Sequence, residues 1–240
     1  MRLPTIEGVI HRRLLVNFRV DPRVIQGVLP SRFRPKLHQG QAIAGICLIR
    51  LEQIRPKRFP QVVGVSSENA AHRIAVLWDE GGREQEGVFI PRRDTSSPLN
   101  HLLGGRVFPG EHHKATFKVE ESGRRIALAM KSEDGSVAVE VAGTLAEALP
   151  PASIFGSLPE ASAFFEAGSL GYSATAHGNR LDGLRLQTTE WRVEPLAIEQ
   201  VYSSYFADEA MFPKGSAEFD HALIMRNIAH EWHTASDLHL

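Results

Sequence analysis

The sequence contains one cysteine, Cys47, among 240 residues, so no disulfide can form within the chain. Cys47 lies in an apolar segment that covers residues 43–51. Free cysteines are among the most frequently buried residues of folded proteins. We therefore expect Cys47 to be a buried and inert thiol.

An excess of charge of one sign is also missing. The 27 lysines and arginines nearly balance the 28 aspartates and glutamates, and the formal net charge is -1. Such a chain has no general electrostatic field that would attract nucleic acid or an anionic membrane surface. We expect neither of them as a partner.

Long hydrophobic runs are absent as well. No segment reaches the apolar length of a membrane span, and residues 1–20 lack the basic and apolar regions of a secretory signal. We therefore expect a cytoplasmic protein. Its hydrophobic content of 42% and charged content of 23% are ordinary for a globular chain, and its length predicts a single domain over residues 1–240.

Motifs that bind nucleotides or metals are missing too. The sequence has no Walker or Rossmann glycine pattern and no nucleophile elbow around a serine. Histidines cluster at His112-His113 and at His230 and His233, but an H-E-x-x-H zinc motif would need its second histidine at another spacing. We expect no metal and no cofactor, and interpret the C-terminal histidines as a solvated tail.

What the sequence does contain is repeated alternation of apolar and polar residues, which is typical of β-strands. Cap residues, prolines and terminal glycines predict short helices over residues 22–29, 97–103 and 157–168. The segment 219–232 fits a helix or a strand. Numerous closely spaced strands favour a barrel or a sandwich. The predicted strands cover residues 12–20, 41–52, 73–79, 87–91, 113–119, 124–131, 136–145 and 184–193.

The strand over residues 113–119 is the most informative of these. Successive side chains of a strand point to opposite faces, so Ala115, Phe117 and Val119 form an apolar face together with His113. The other face carries His112, Lys114, Thr116 and Lys118. We predict that His113 lies at the edge of a core and that Lys114 and Lys118 point to solvent.

Two motifs resemble the acetoacetate decarboxylase superfamily, in particular its branch known as domain of unknown function 2071. One motif is the strand, helix and turn that run from Leu15 through Asp21 to Pro30, and the other is Gly105-Arg106. The resemblance implies a mostly β (α+β) protein, an antiparallel β-barrel with a few short helices and a small-molecule pocket inside.

The resemblance also shows where this chain departs from the family. Family members carry a Lys-Lys pair eight and nine residues after the glycine of the Gly-Arg motif, and the first lysine forms a Schiff base with a β-keto acid. His113 and Lys114 occupy these positions here. Imidazole cannot form the imine that accepts the electrons, so decarboxylation through a Schiff base is not expected.

Several polar residues could line one pocket. We predict His113 as a catalytic general acid or base and Glu68 as a second catalytic residue. Arginine matches a carboxylate with its planar fork, which suits a substrate-binding group. The alternative for Arg92 and Arg93 is an ion pair with Asp94 that only fixes a loop. The alternative for His113 is a histidine at the edge of the core that is bound to a backbone carbonyl. The predicted substrate-binding residues are Arg106, Arg92, Arg93 and His72, and Asp94 and Glu111 could line the same pocket.

Two functions from different classes fit these residues. The first is an enzyme that acts on a small carbonyl or carboxylate compound, with Arg106 or Arg92 holding the anion and His113 moving a proton. The second is a non-catalytic protein that binds a small, anionic ligand. A metal-dependent hydrolase ranks third, and the oligomeric state stays open, a homo-oligomer included.

Overall fold

Strands make up most of the protein. The computed structural model describes residues 5–98, 110–175 and 178–240. These ranges contain two helices, α1 (Pro22–Val28) and α2 (Leu158–Ala167), and a 3₁₀ turn (Gln61–Val63). The strands are β1 (Ile6–Val20), β2 (Arg34–Pro35), β3 (Leu37–His38), β4 (Gln41–Pro56), β5 (Val65–Glu80), β6 (Arg83–Thr95), β7 (His112–Ser122), β8 (Arg125–Ser132), β9 (Ala138–Leu145), β10 (Leu170–Ala174), β11 (Arg180–Thr188), β12 (Glu194–Ser203), β13 (Ala217–Thr234) and β14 (Leu238–His239).

Both helices begin where the sequence predicts. The side chain of Asp21 accepts a hydrogen bond from the Arg23 backbone and caps α1, and Ser157 caps α2 in the same way through Glu160. Each cap satisfies a backbone N–H that the helix itself leaves free. The helix predicted over residues 97–103 falls largely on residues 99–109, outside the described ranges.

The strand predictions differ from the structure at several elements. The segment 219–232, which fitted a helix or a strand, belongs to β13, and β2, β3, β10, β12 and β14 were not predicted. The strand predicted over residues 184–193 ends early, at Thr188 of β11. Trp191 leaves the sheet there because its indole N–H donates to the Ser162 hydroxyl on α2, 3.0 Å away.

All the strands join in one sheet that closes on itself. Hydrogen-bonded neighbours run from β6 through β7, β8, β9, β12, β13, β1, β4 and β5, and β5 pairs with β6 again. A second closed path leaves β6 through β10 and β11 to β13. The pairs β6–β7 and β6–β10 are parallel, and the long pairs of the shared wall are antiparallel.

The shared wall of β1, β4, β5 and β13 has a hydrophobic core on each face. Leu14 and Val16 of β1 face one core, which extends to β8 and β9. Leu15 faces the other, which α2 covers with Phe165. The two covered faces explain why β4 is apolar without alternation.

The predicted faces of β7 are largely confirmed. Ala115 is buried, Phe117 and Val119 pack against the first core, and Lys118 is exposed. Lys114 is only half-buried. His112, on the same face as Lys114, is 8% exposed, because β7 begins where the second face of the sheet is also covered.

Candidate functional site

The structure brings His113 together with two of the predicted residues. Parallel pairing of β6 and β7 places Asp94 beside His113 on one face, and Arg92 lies two residues away on that face. Arg92 donates to Asp94 at 2.8 Å and to Asp134 at 3.1 Å. His113 Nδ1 lies 3.4 Å from Asp134 Oδ2. We call Arg92, Asp94, His113 and Asp134 the Asp134 cluster.

Burial and hydrogen bonds set the charges of the Asp134 cluster. Burial raises the pKa of Asp94, although Arg92 opposes this effect. Hydrogen bonds from Ser132 and Ser136 hold the pKa of Asp134 well below its usual range. Two carboxylates thus contact the Arg92 guanidinium and neutralise it.

His72 lies on β5 in a different environment. Its side chain is fully buried, and its ring centroid is 4.5 Å from that of Tyr205. Burial, assisted by the positive charge of Arg92, lowers the pKa of His72 to about 3. Neither ring nitrogen has a hydrogen-bond partner among the described residues, so His72 is a neutral ring within an aromatic cluster.

Glu68 belongs to a separate ion-pair network. It contacts Arg12 at 2.6 Å, and Arg12 also contacts Glu121 at 2.6 Å. Burial raises the pKa of Glu68 despite the opposing arginines. Glu111 is exposed, and Arg106 lies outside the described ranges. Glu111 does not join the Asp134 cluster.

Arg93 points away from Arg92, because neighbouring residues of a strand occupy opposite faces. The strand register aligns Cys47 with Ala71, Ala71 with Arg93, and Arg93 with His112 across β4 to β7. These four residues border a cavity on the face of the sheet that α2 covers.

The cavity measures about 120 Å³, whereas one water needs roughly 10–15 Å³ by the same measure. It can therefore hold a small organic molecule. Its walls combine aliphatic and aromatic side chains with cationic groups. The apolar lining includes Ile49, Leu51, Ile90, Leu184, Leu186, Phe165, Trp191 and Trp232, and the cations are Arg13, Arg73 and Arg93.

The three cavity arginines contact neutral groups. Arg13 donates to the sulfur of Cys47 at 3.1 Å, Arg93 donates to the Ser173 hydroxyl at 2.9 Å, and Arg73 donates to the side-chain oxygen of Asn17. Many arginines elsewhere pair with carboxylates, but no described carboxylate forms an ion pair with these three. Residues 1–4, 99–109 and 176–177, which are not described, include no aspartate or glutamate.

The charge of Arg73 and Arg93 persists at neutral pH. Burial lowers the pKa of both Arg73 and Arg93 to about 10, and the nearby Cys47 opposes the shift. Asp94 also borders the cavity, but its carboxylate binds Arg92. The cavity therefore presents positive charge without a matching anion among its described lining residues.

Sequence reasoning missed Arg13, Arg73 and His112 as cavity residues. The available signal was an arginine within a strand that is otherwise apolar, since a charged residue rarely lies in such a strand without a partner. Arg73 meets that description, because residues 74–78 that follow it are all apolar.

The C-terminal histidines are not a solvated tail, which corrects the sequence interpretation. His230 is 3% exposed on β13, and its ring lies 4.6 Å from that of Trp232. Burial lowers its pKa to about 4. Across the described ranges, no group of three histidine, cysteine or acidic side chains is arranged to hold a metal. Neither helix within those ranges is long and apolar enough to cross a membrane.

Comparisons with known proteins agree with this architecture. The model of a family described as uncharacterised conserved protein, domain of unknown function 2071, matches residues 9–227. No curated protein matches the sequence.

Three solved structures share the fold. An acetoacetate decarboxylase-like enzyme from Sphingomonas wittichii RW1 has a TM-score of 0.58 at 12% identity, over 100% of this chain and 93% of that one. The acetoacetate decarboxylase of Legionella pneumophila has a TM-score of 0.61 at 10% identity, over 98% of this chain and 88% of that one. The enduracididine biosynthesis enzyme MppR complexed with pyruvate has a TM-score of 0.61 at 10% identity, over 100% of this chain and 91% of that one. The likeness shows an acetoacetate decarboxylase-like fold.

Proposed function

Because the chain belongs to the domain of unknown function 2071 family and has the acetoacetate decarboxylase-like fold, we propose that it binds a small carboxylate compound in the cavity beside Arg73 and Arg93. One observation carries this proposal. Three guanidinium groups border a cavity of about 120 Å³ and have no carboxylate partner among the described residues. Arg73 is buried, and buried cations normally have a counter-ion, so a bound anion would complete the site.

The lining also favours a particular type of carboxylate. Arginine binds carboxylates through two parallel hydrogen bonds, and aromatic side chains such as Trp191 and Trp232 pack against an apolar body. MppR, which shares the fold, has a structure in complex with pyruvate, an α-keto acid. An α-keto acid with an apolar side group fits these features, and phenylpyruvate is a suitable probe.

A second candidate is an enzyme in which His113 transfers a proton. The contact between His113 and Asp134 and the buried Asp94 favour it, because carboxylates orient and polarise an imidazole. This arrangement needs a substrate on the face of β7 opposite the cavity. Glu68, the other predicted catalytic residue, would act from its ion pair with Arg12. Loss of turnover in His113→Ala with retained affinity would support an enzyme over a binding protein.

A calorimetric titration of phenylpyruvate into the wild-type protein and into Arg93→Gln measures the two affinities and tests the carboxylate proposal. A hydrogen bond between charged groups contributes about 1.5–3 kcal/mol, so we expect the affinity of Arg93→Gln to fall roughly tenfold to a hundredfold. Arg83→Gln is the matched control, because Arg83 is an exposed arginine on the same strand. Equal affinities of wild type and Arg93→Gln would reject the proposal.

A further inference from the structure

Arg73 is connected to a buried carboxylate through two neutral side chains. The register of the wall aligns His221 of β13 with Asn17 of β1, Asn17 with Gly45 of β4, and Gly45 with Arg73 of β5. Residues directly opposite one another in a sheet share a face. These four residues therefore form one row across the sheet, on the face covered by α2.

Gly45 is the reason that Arg73 can reach Asn17. A Cβ atom at this position would lie 2.3 Å from the Val16 carbonyl oxygen and 3.2 Å from Asn17 Oδ1. With no side chain at Gly45, Arg73 crosses β4 and donates from Nη2 to Asn17 Oδ1. Phe165 of α2 supports the guanidinium from 4.8 Å.

The direction of every hydrogen bond in the row follows from arginine, which can only donate. Asn17 must turn its oxygen to Arg73, so its Nδ2 faces His221 Nε2 at 3.0 Å and donates to it. His221 then carries its proton on Nδ1 and donates to Asp220 Oδ2 at 2.5 Å. The donors all point from the Arg73 cation toward the Asp220 anion.

The row is buried. Asn17 and His221 are fully buried, and Asp220 and Arg73 are 3% and 4% exposed. Arg19 Nη1 also lies 3.5 Å from Asp220 Oδ1, so Asp220 is shared between that exposed-side cation and the row. Asp220 accepts in addition from the Ser153 hydroxyl at 2.7 Å and from the Ile154 N–H at 2.9 Å. Burial raises the pKa of Asp220, but these bonds and His221 outweigh it and hold the pKa below its usual value.

This arrangement leaves one side of Arg73 unused. Its Nε has no hydrogen-bond partner among the described residues, and the side chain borders the cavity. A carboxylate placed directly against Arg73 would occupy the guanidinium. A carboxylate placed behind two neutral groups compensates part of the charge and keeps the cavity side open.

We propose that Asn17, His221 and Asp220 are positioning residues that hold Arg73 toward the cavity and balance its charge from a distance, so that it can bind a carboxylate ligand. The inference rests on the proposed carboxylate site, which it deepens. Asn17→Asp tests it most sharply, because this nearly isosteric change places an anion in direct contact with Arg73.

The experiment compares phenylpyruvate affinity in wild type, Asn17→Asp, Asn17→Ala and Arg93→Gln, with thermal unfolding of each. We expect Asn17→Asp to retain its fold and lose about tenfold or more in affinity, since the new ion pair occupies Arg73. Unchanged affinity in both Asn17 variants, together with a loss in Arg93→Gln, would overturn the positioning role alone. Unchanged affinity in Arg93→Gln as well would instead reject the carboxylate site.

A spectroscopic signature in the wild-type protein does not depend on the folding of a variant. The ¹⁵N spectrum of labelled histidine should show His221 neutral with its proton on Nδ1. Saturating phenylpyruvate should shift its Nε2 resonance, and Arg73→Gln should abolish the shift. A proton on Nε2 in the free protein, or an Nε2 resonance that does not change when the ligand is added, would contradict the proposed positioning role of the row.

Discussion

Two adjacent arginines differ in chemistry because they point to opposite faces of one strand. Arg92 contacts two carboxylates, whereas Arg93 contacts a serine hydroxyl and borders a cavity. Their sequence context is nearly identical. The face that each side chain occupies thus decides which guanidinium is available to a ligand.

The sole cysteine gives a chemical readout of the cavity. Cys47 borders it, and its sulfur accepts a hydrogen bond from Arg13. Nearby cations raise the local concentration of an anionic reagent. The anionic iodoacetate should therefore be favoured over the neutral iodoacetamide at Cys47. We expect the ratio of the iodoacetate rate to the iodoacetamide rate to be roughly tenfold higher in wild type than in Arg93→Gln. Mass spectrometry of the alkylated protein measures both rates, and equal ratios would contradict the cationic cavity.

The buried histidine His72 predicts a loss of stability in acid. Its pKa is lowered to about 3 in the folded protein, whereas an unfolded histidine titrates near 6.5. The unfolded state therefore binds more protons between these values, and stability falls as the pH drops below about 6.5. Between pH 7 and pH 5, this group alone should cost about 2 kcal/mol.

His72→Phe keeps an aromatic ring beside Tyr205 and isolates this contribution. Urea unfolding at pH 7 and pH 5 should show a smaller loss of stability in the variant than in wild type. A variant with the same loss as wild type would show that His72 is not the titrating group.

The absence of a lysine from the family position predicts that no imine forms. Position 113 is histidine, and the described cavity lining includes no lysine. Incubation with acetoacetate and borohydride should leave every lysine unmodified, as measured by mass spectrometry. A stable adduct on Lys114 or another lysine, together with release of carbon dioxide, would contradict this expectation.

Single elements could be predicted where local chemistry decides them. Alternation predicted β1 and the faces of β7, and cap residues predicted α1 and α2. The short strand β10 has five residues with a central Gly-Tyr-Ser, which gives no clear period. Its position depends on pairing with β6 and β11, which the local sequence does not encode.

The cap of α2 gives a prediction at this scale. Ser157 accepts from the Glu160 N–H, and the Glu160 carboxylate accepts from the Gly156 N–H in return. Ser157→Ala should lower the free energy of unfolding by about 1 kcal/mol, while Ser157→Asn should largely preserve it. Chemical denaturation compares the two variants, and an equal loss in both would show that the cap does not stabilise the helix.

The candidate site emerges only at the scale of the whole molecule. Cys47, Ala71, Arg93 and His112 come from four strands, and their alignment depends on register across all of them. Sequence reasoning named Arg93 but could not tell which face of the closed sheet it occupies. The unpaired charge of the cavity arginines likewise follows from the positions of every carboxylate, which no local pattern contains.

The fold itself was predictable because its evidence is spread along the chain. Many alternating segments predicted a mostly β protein, and the resemblance at the first strand and the Gly-Arg motif predicted the acetoacetate decarboxylase-like architecture, which the structural likeness confirms. The second closed path through β10 and β11 was not predicted. That path borders the cavity through Gly171, Leu184 and Leu186.

The central claim is that the cavity binds a carboxylate through Arg73 and Arg93, and a crystal structure with phenylpyruvate tests it most directly. We expect the carboxylate oxygens within hydrogen-bond distance, about 2.7–3.2 Å, of both guanidinium groups, with the phenyl ring against Trp191 or Trp232. Density for the ligand on the His113 face of β7, or a carboxylate turned away from both arginines, would contradict the account.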